Sequence, residues 1–200
     1  NLGGTLSYLY DAFGNLTKVT DPAGYETIIE YDVRGRRTRM VDPDMGEVLY
    51  DYNSISELVW QKDANEQISI FTYDILGRLI ERQDPEGTSR WIYDTQPKGI
   101  GKLATVQGPD GYREHHFYDE FGRLNEKQTE IDGASYTLQN TYDEFGRLHQ
   151  LDYPNGFAVT HTYNDYGYLL TVQNSATQLV YWEAEVVNAR GQLEQQRLGN

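Results

Sequence analysis

Apolar and polar residues alternate in short bursts along this chain, and most bursts end on a tyrosine. Counting back two positions from Tyr10, Tyr31, Tyr52, Tyr73 and Tyr93 gives Tyr8, Ile29, Tyr50, Phe71 and Trp91. Residues two apart share one face of a β-strand. Four positions back from a repeat tyrosine stand Leu6, Val48, Leu138 and Val159, with Thr27 and Ser89 as polar exceptions. The intervening Glu30, Asp51, Thr72, Thr141 and Thr162 are polar. The pattern predicts antiparallel strands with one aromatic, mostly apolar face and one wetter face. No stretch sustains a helical period.

The tyrosines open a repeat, Tyr-Asp-x-x-Gly-Arg-Leu. Its copies begin at Tyr10-Asp11 with Gly14, Tyr31-Asp32 with Gly35, and Tyr52-Asn53 with Ser56 in place of glycine. They continue at Tyr73-Asp74 with Gly77, and at Tyr93-Asp94 with an insertion before Gly101. Next come Tyr118-Asp119 with Gly122, Tyr142-Asp143 with Gly146, Tyr163-Asn164 with Gly167, and a degenerate Val187-Asn188 with Gly191. The first four tyrosines are each 21 residues apart. A fixed period of this size marks a repeat architecture in which each unit leans on its neighbours.

The motif suits a hairpin turn. Asp at its first position folds its carboxylate onto the following N–H groups, and Asn does the same. A type I turn followed by glycine in the left-handed region closes the hairpin with a bulge. Ser56 is the exception, expected to be the most strained turn. A second set of turns separates the hairpins: Asp21-Pro22-Ala23-Gly24, Asp42-Pro43, Asp84-Pro85-Glu86-Gly87, Gly108-Pro109-Asp110-Gly111 and Pro154-Asn155-Gly156. Two turns per repeat leave two strands of about six residues each. The expected organisation is one array over residues 1–200, without internal boundary. Some eighteen strands in one sheet would have to curl, because twisted open sheets rarely pass about ten strands otherwise. Such a sheet would form a wall around a space.

Composition narrows the function. With 31 acidic against 17 basic residues the net charge is −14, which disfavours nucleic acid and anionic lipid as partners. The absence of cysteine excludes disulfides, zinc–thiolate sites and cysteine nucleophiles. No apolar run approaches the roughly 18 residues of a spanning helix, so membrane insertion by this segment is not expected. The chain opens Asn1-Leu2-Gly3 without an initiator methionine and stops at Asn200 just past a repeat. Both ends read as cuts from a longer protein.

The repeat resembles the RHS, or YD-repeat, family from Leu6 to Leu193. Eight of the nine turns keep Gly, six keep Asp and eight keep Tyr. The family includes bacterial Rhs and wall-associated polymorphic toxins, shell components of insecticidal toxin complexes, and teneurins. The resemblance implies a long β-sheet spiralling into a hollow shell. In bacterial members that shell encloses a C-terminal toxin, and the implied role is protection of such a polypeptide before export from the cell. The rival reading is an extracellular adhesion or carbohydrate-binding module, since aromatic faces stack on sugars. Bacterial shells often end in a self-cleaving aspartyl region, and nothing here matches it.

Other chemistry is weak. His115 and His116 are adjacent, hence on opposite strand faces, and only Glu114 and His116 could share an ion. His149 and His161 are isolated. The recurring Asp residues are explained one by one as turn formers, so no catalytic carboxylate pair is assigned. Arg36, Arg78, Lys102, Arg123 and Arg147, following the turn glycines, are expected to pair with a neighbouring repeat's Asp or Glu. No catalytic residue, metal or cofactor is assigned. Asn15-Leu16-Thr17 is the one glycosylation sequon. An excised arc would expose sheet edges and is expected to self-associate through them.

Overall fold

The computed structural model describes residues 4–199. Asn1–Gly3 and Asn200, the ends that suggested a longer parent, lie outside them. The described residues form eighteen β-strands and no α-helix, one 3-10 turn at Pro109–Gly111 apart. No helix is long and apolar enough to cross a membrane. The chain divides into two compact units, Asn1–Trp91 and Ile92–Asn200.

The first unit holds β1 (Ser7–Tyr10), β2 (Leu16–Thr20), β3 (Glu26–Tyr31), β4 (Arg37–Asp42), β5 (Gly46–Tyr52), β6 (Leu58–Lys62), β7 (Ile68–Tyr73) and β8 (Leu79–Asp84), and most of β9 (Gly87–Tyr93). Each strand pairs antiparallel with the next in sequence. The second unit holds β10 (Leu103–Gln107), β11 (Arg113–Tyr118), β12 (Leu124–Ile131), β13 (Ala134–Tyr142), β14 (Leu148–Asp152), β15 (Ala158–Tyr163), β16 (Leu169–Asn174), β17 (Val180–Val187) and β18 (Leu193–Leu198). It is the same antiparallel meander. Because the turns alternate, all tyrosine turns of a unit lie along one edge of its sheet and the inter-hairpin turns along the other.

The tyrosine turns have the predicted form. In the first, Gly14 N–H donates to the Asp11 carbonyl at 3.1 Å, and Asp11 N–H donates to the Asn15 carbonyl at 2.9 Å. Register slips by one residue at each repeat tyrosine that ends a strand, as at Glu30/Tyr31 and Thr162/Tyr163, which is the bulge. Glycine takes positive φ there, 86° at Gly14. Ser56 adopts φ 71° in the same role but is not alone. Glu66 takes φ 63° in a turn of identical bonding, Asp63 N–H to the Gln67 carbonyl and Glu66 N–H to the Asp63 carbonyl. That inter-hairpin turn, Asp63-Ala64-Asn65-Glu66, escaped the sequence because it carries neither Pro nor Gly. Asp94 in the interrupted fifth copy also has positive φ.

The expected faces are present. In β3 and β7 the residues sharing the tyrosine's face are half-buried and the alternate residues exposed. Burial is thin: Val48, Ala104, Val159 and Ala184 are the only buried apolar residues among those described, joined by Ser89 and Thr105. The wetter face is less polar than its pattern suggested, since Ile28, Ile68 and Ile70 lie exposed on it. Its polar residues pair across strands, as in Lys18–Glu26, Arg39 with Glu30 and Glu47, and Arg90–Glu81.

Left-handed backbone costs a side-chain-bearing residue roughly 1–2 kcal/mol. Ser56→Gly is expected to raise unfolding stability by about 0.5–1 kcal/mol. An unchanged midpoint in urea unfolding would show that the turn is relaxed as it stands.

Candidate functional site

The repeat motif itself is the densest concentration of ordered polar contacts in the molecule, and its parts converge at each tyrosine turn. The first residue of the motif supplies two bonds. Asp119 Oδ1 accepts the N–H groups of Phe121 and Arg123 at 3.0 and 2.8 Å. Its other oxygen, Oδ2, takes the Arg123 guanidinium at 2.7 Å. Asp32 with Arg36, Asp74 with Arg78 and Asp143 with Arg147 repeat the arrangement.

The arginines therefore pair with the aspartate of their own turn, four residues back, and not with a neighbouring repeat as the sequence had led us to expect. The carboxylate already folded inward by the Asx-turn is the nearest anion, and both groups are held by one loop. The pairing survives exchange of its members. In the first copy Asn15 Nδ2 donates to Asp11 Oδ2. In the third the polarity is reversed, with Asn53 Nδ2 donating to Glu57 Oε2 at 2.6 Å. In the ninth Asn188 donates to Gln192.

What the arginine does reach in the next repeat is the tyrosine ring. Arg36 lies 4.9 Å from the Tyr52 ring centre, Arg123 4.3 Å from Tyr142 and Arg147 4.3 Å from Tyr163. Lys102 sits 5.6 Å from Tyr118. A cation over an aromatic face at these separations is attracted by the ring quadrupole, and arginine's planar group stacks better than an ammonium.

The tyrosine hydroxyl completes the link. Tyr31 donates to the Leu16 carbonyl, Tyr52 to Arg37, Tyr73 to Leu58, Tyr118 to Leu103, Tyr142 to Leu124 and Tyr163 to Leu148, all at 2.6–2.9 Å. In each case the acceptor is the second residue after the turn glycine of the preceding repeat (Ser56 in the third). The ladder between hairpins stops short of that residue: β2 meets β3 only from Lys18, and β14 meets β15 only from Gln150. Its carbonyl thus lacks a strand partner, and the phenol supplies the missing donor. Burial pushes the hydroxyls of Tyr52, Tyr73, Tyr118, Tyr142 and Tyr163 above the ordinary phenol range, which keeps them protonated as donors. Sequence reasoning missed this bond. The available signal was that no copy has Phe where the repeat has Tyr.

Each residue assigned to the motif falls in this arrangement. Tyr10, Tyr31, Tyr52, Tyr73, Tyr93, Tyr118, Tyr142 and Tyr163 end strands, and the Asp and Gly positions form the turns. The fifth copy alone is remodelled: Asp94 N–H donates to the Lys102 carbonyl across the insertion, and Gly101 N–H donates to the Asp94 carboxylate.

On the tyrosine face the two units differ. The position two before the tyrosine, aromatic or aliphatic in the first unit, becomes His116, Asn140 and His161 in the second. Glu114, on the same face, contacts His116 Nε2 at 3.0 Å through one oxygen and the Lys127 ammonium at 3.1 Å through the other. With a cation already on that carboxylate, the pair is a poor metal site, and no group of three or more metal-binding side chains is found among the described residues. His115 faces the other way, toward Thr105.

Residues 5–44 match the family model described as RHS Repeat. That segment carries the RHS repeat. No curated protein sequence matches the chain. Among solved structures, a complex titled TcdB2-TccC3 is similar over 96% of this chain at 17% identity with a TM-score of 0.75. A form of it without its hypervariable C-terminal region covers 96% at 17% identity, TM-score 0.72. The Tc holotoxin pore of Photorhabdus luminescens covers 97% at 18% identity, TM-score 0.72. The chain spans 12%, 11% and 11% of those chains, and its fold is that of a segment of them.

Two predictions concern this site. Tyr163→Phe removes the donor to Leu148 while keeping the ring under Arg147, and should cost roughly 0.5–1.5 kcal/mol of unfolding free energy. Equal stability of the variant in urea would show that the hydroxyl carries nothing. The second concerns pH. Burial pushes the imidazoles of His116 and His161 below their ordinary value, Glu114 partly opposing this at His116. Both Nδ1 atoms are buried without a partner. Folded His116 and His161 hold protons less tightly than the unfolded chain, so stability is fully present above about pH 6.5 and falls as pH drops through the lowered values. Unfolding free energy should decline between about pH 7.5 and 5.5, less steeply in H116Q/H161Q. The turn aspartates act in a separate window. Hydrogen bonds from Arg36 and Arg78 hold Asp32 and Asp74 below the usual range. At Asp119 and Asp143 the hydrogen bonds from Arg123 and Arg147 outweigh the upward push of burial. That contribution is lost only below about pH 4.

Proposed function

We propose that this chain is a wall segment of an RHS-repeat toxin shell, belonging to one continuous array in a longer exported parent protein. In that parent the array encloses a C-terminal toxin polypeptide and shields it until delivery. The observation that carries the reading is the interlock between repeats. Phenol-to-carbonyl bonds, reinforced at several junctions by a cation on the ring, tie hairpin to hairpin, so the array is held together by its own neighbours rather than by a core filled from outside. A wall of this kind leaves its tyrosine face free to meet another polypeptide. The likeness to a segment of TcdB2-TccC3, a complex with a hypervariable C-terminal region, supports a variable cargo downstream of a constant wall.

On this reading the chain is not a catalyst. The motif's aspartates are committed to turns and its arginines to aspartates and rings, and the proposed role requires no cofactor. Exposed strand edges at β1 and β18, every residue of which is exposed, are where further repeats of the parent would pair, and where the isolated segment would self-associate.

Limited proteolysis of the full-length parent tests the proposal. A C-terminal polypeptide that survives with the repeats, and becomes digestible only after denaturation, is the expected result. Prompt loss of everything outside the repeats, with the repeats intact, would defeat enclosure and favour adhesion or glycan binding.

A further inference from the structure

The two middle positions of a tyrosine turn accept most residues, and polar ones are commonest in turns. Here they carry large apolar side chains thrust into solvent. In the second unit three adjacent turns also place an acid beside the aromatic: Glu120-Phe121, Glu144-Phe145 and Asp165-Tyr166. The rings are 74%, 73% and 86% exposed, and the three carboxylates are exposed and make no ion pair. The opposite edge of this unit has no such tips; its turns show Asp110, Asp132, Asn155 and Thr177. Phe121 and Phe145 are also held in place, each with its own turn's arginine 4.8 Å from the ring centre. An open notch lined by Tyr168, Val187 and Ala189 lies beside Tyr166.

We propose that this edge is a docking surface for a separate polypeptide presenting a basic, proline-rich segment in the polyproline II conformation. Charge complementarity sets the sign: unpaired carboxylates at successive tips, on a chain of net charge −14, call for lysine or arginine. Spacing sets the conformation. Successive tips are two strands apart, roughly 9.5 Å. A polyproline II helix rises about 9.3 Å per turn of three residues and returns the same side at every third residue. An extended β-strand puts every third residue on alternating sides, and an α-helix returns after about 10.5 Å. Exposed aromatics are also the surfaces on which proline-rich segments dock, because such segments give up little conformational entropy on binding.

The test is fluorescence anisotropy with the 200-residue chain and a labelled peptide of about twelve residues built from Pro-Pro-Lys triplets. The comparison peptides are Pro-Pro-Glu triplets of the same length and a helical Lys–Leu peptide. The Pro-Pro-Lys peptide is expected to bind best, and more weakly as salt rises from about 0.05 to 0.5 M. F121S/F145S/Y166S should lower its affinity about tenfold or more. E120Q/E144Q/D165N, which removes no intramolecular contact, should also lower it, with unchanged circular dichroism and melting. Undiminished binding to either variant would overturn the proposal, as would preference for the helical or the acidic peptide. Self-association of the parent chain that disappears in the serine variant would also overturn it, assigning the edge to a second copy.

Discussion

An unpaired backbone carbonyl organises this structure. Each tyrosine turn closes with a bulge, and the ladder to the next hairpin begins only about two residues later. The residue left between, Leu16 or Leu148, has a carbonyl that no strand ladder satisfies, while that of Leu124 takes the Asn140 side-chain amide as well as the phenol. A half-buried carbonyl without a donor is costly, roughly 1–3 kcal/mol. The next repeat's phenol answers it, and that requirement explains why the position is tyrosine and not phenylalanine. Once the ring stands there, its face offers a seat for the cation that follows the turn glycine. The cation in turn needs a counter-charge, and the turn's own aspartate provides it. Three of the most recurrent letters of the motif follow from one missing hydrogen bond.

This local logic decides what the sequence could and could not reveal. The strand–turn rhythm was legible because Asp and Gly act within five residues, through bonds their own backbone makes. The Asp63–Glu66 turn was not, since it has Asp63 and Asn65 but neither Pro nor Gly, and its left-handed residue is a glutamate. The partner of the arginines was misjudged for a related reason. Sequence spacing shows that a cation and an anion are available, but only the Asx geometry of Asp32 or Asp143 shows which carboxylate already points inward. The phenol-to-carbonyl bond spans two hairpins and follows from bulge geometry, which no linear spacing displays. The change of the tyrosine face at His116, Asn140 and His161 could be read directly from positions two before the tyrosine, had the count gone beyond the fifth copy.

That change of face is informative about how the array is held. With Val48, Ala104, Val159 and Ala184 as its buried apolar residues, the protein does not depend on a continuous apolar layer. Cohesion lies in the ladders and the interlock, so the second unit keeps the strand architecture of the first although it carries His116 and His161 where the first carries Tyr50 and Phe71. The buried, unpartnered Nδ1 atoms of His116 and His161 make part of the second unit's tyrosine face responsive to acid.

The interlock is also directional. A hairpin offers a carbonyl to its successor, joined by a cation where Arg36, Lys102, Arg123 and Arg147 stand, and takes a hydroxyl and a ring from it, so the contact is head-to-tail and never satisfies itself within one unit. Such a contact has no intrinsic stopping point. Length is therefore counted in whole repeats: gaining or losing a complete hairpin restores the same junction, whereas losing one strand turns the edges over and sets a tyrosine turn against an inter-hairpin turn. Evolution of such repeat arrays should accordingly proceed by quanta of one hairpin, with smaller length changes confined to turns such as 94–102, where extra residues leave the junction unbroken.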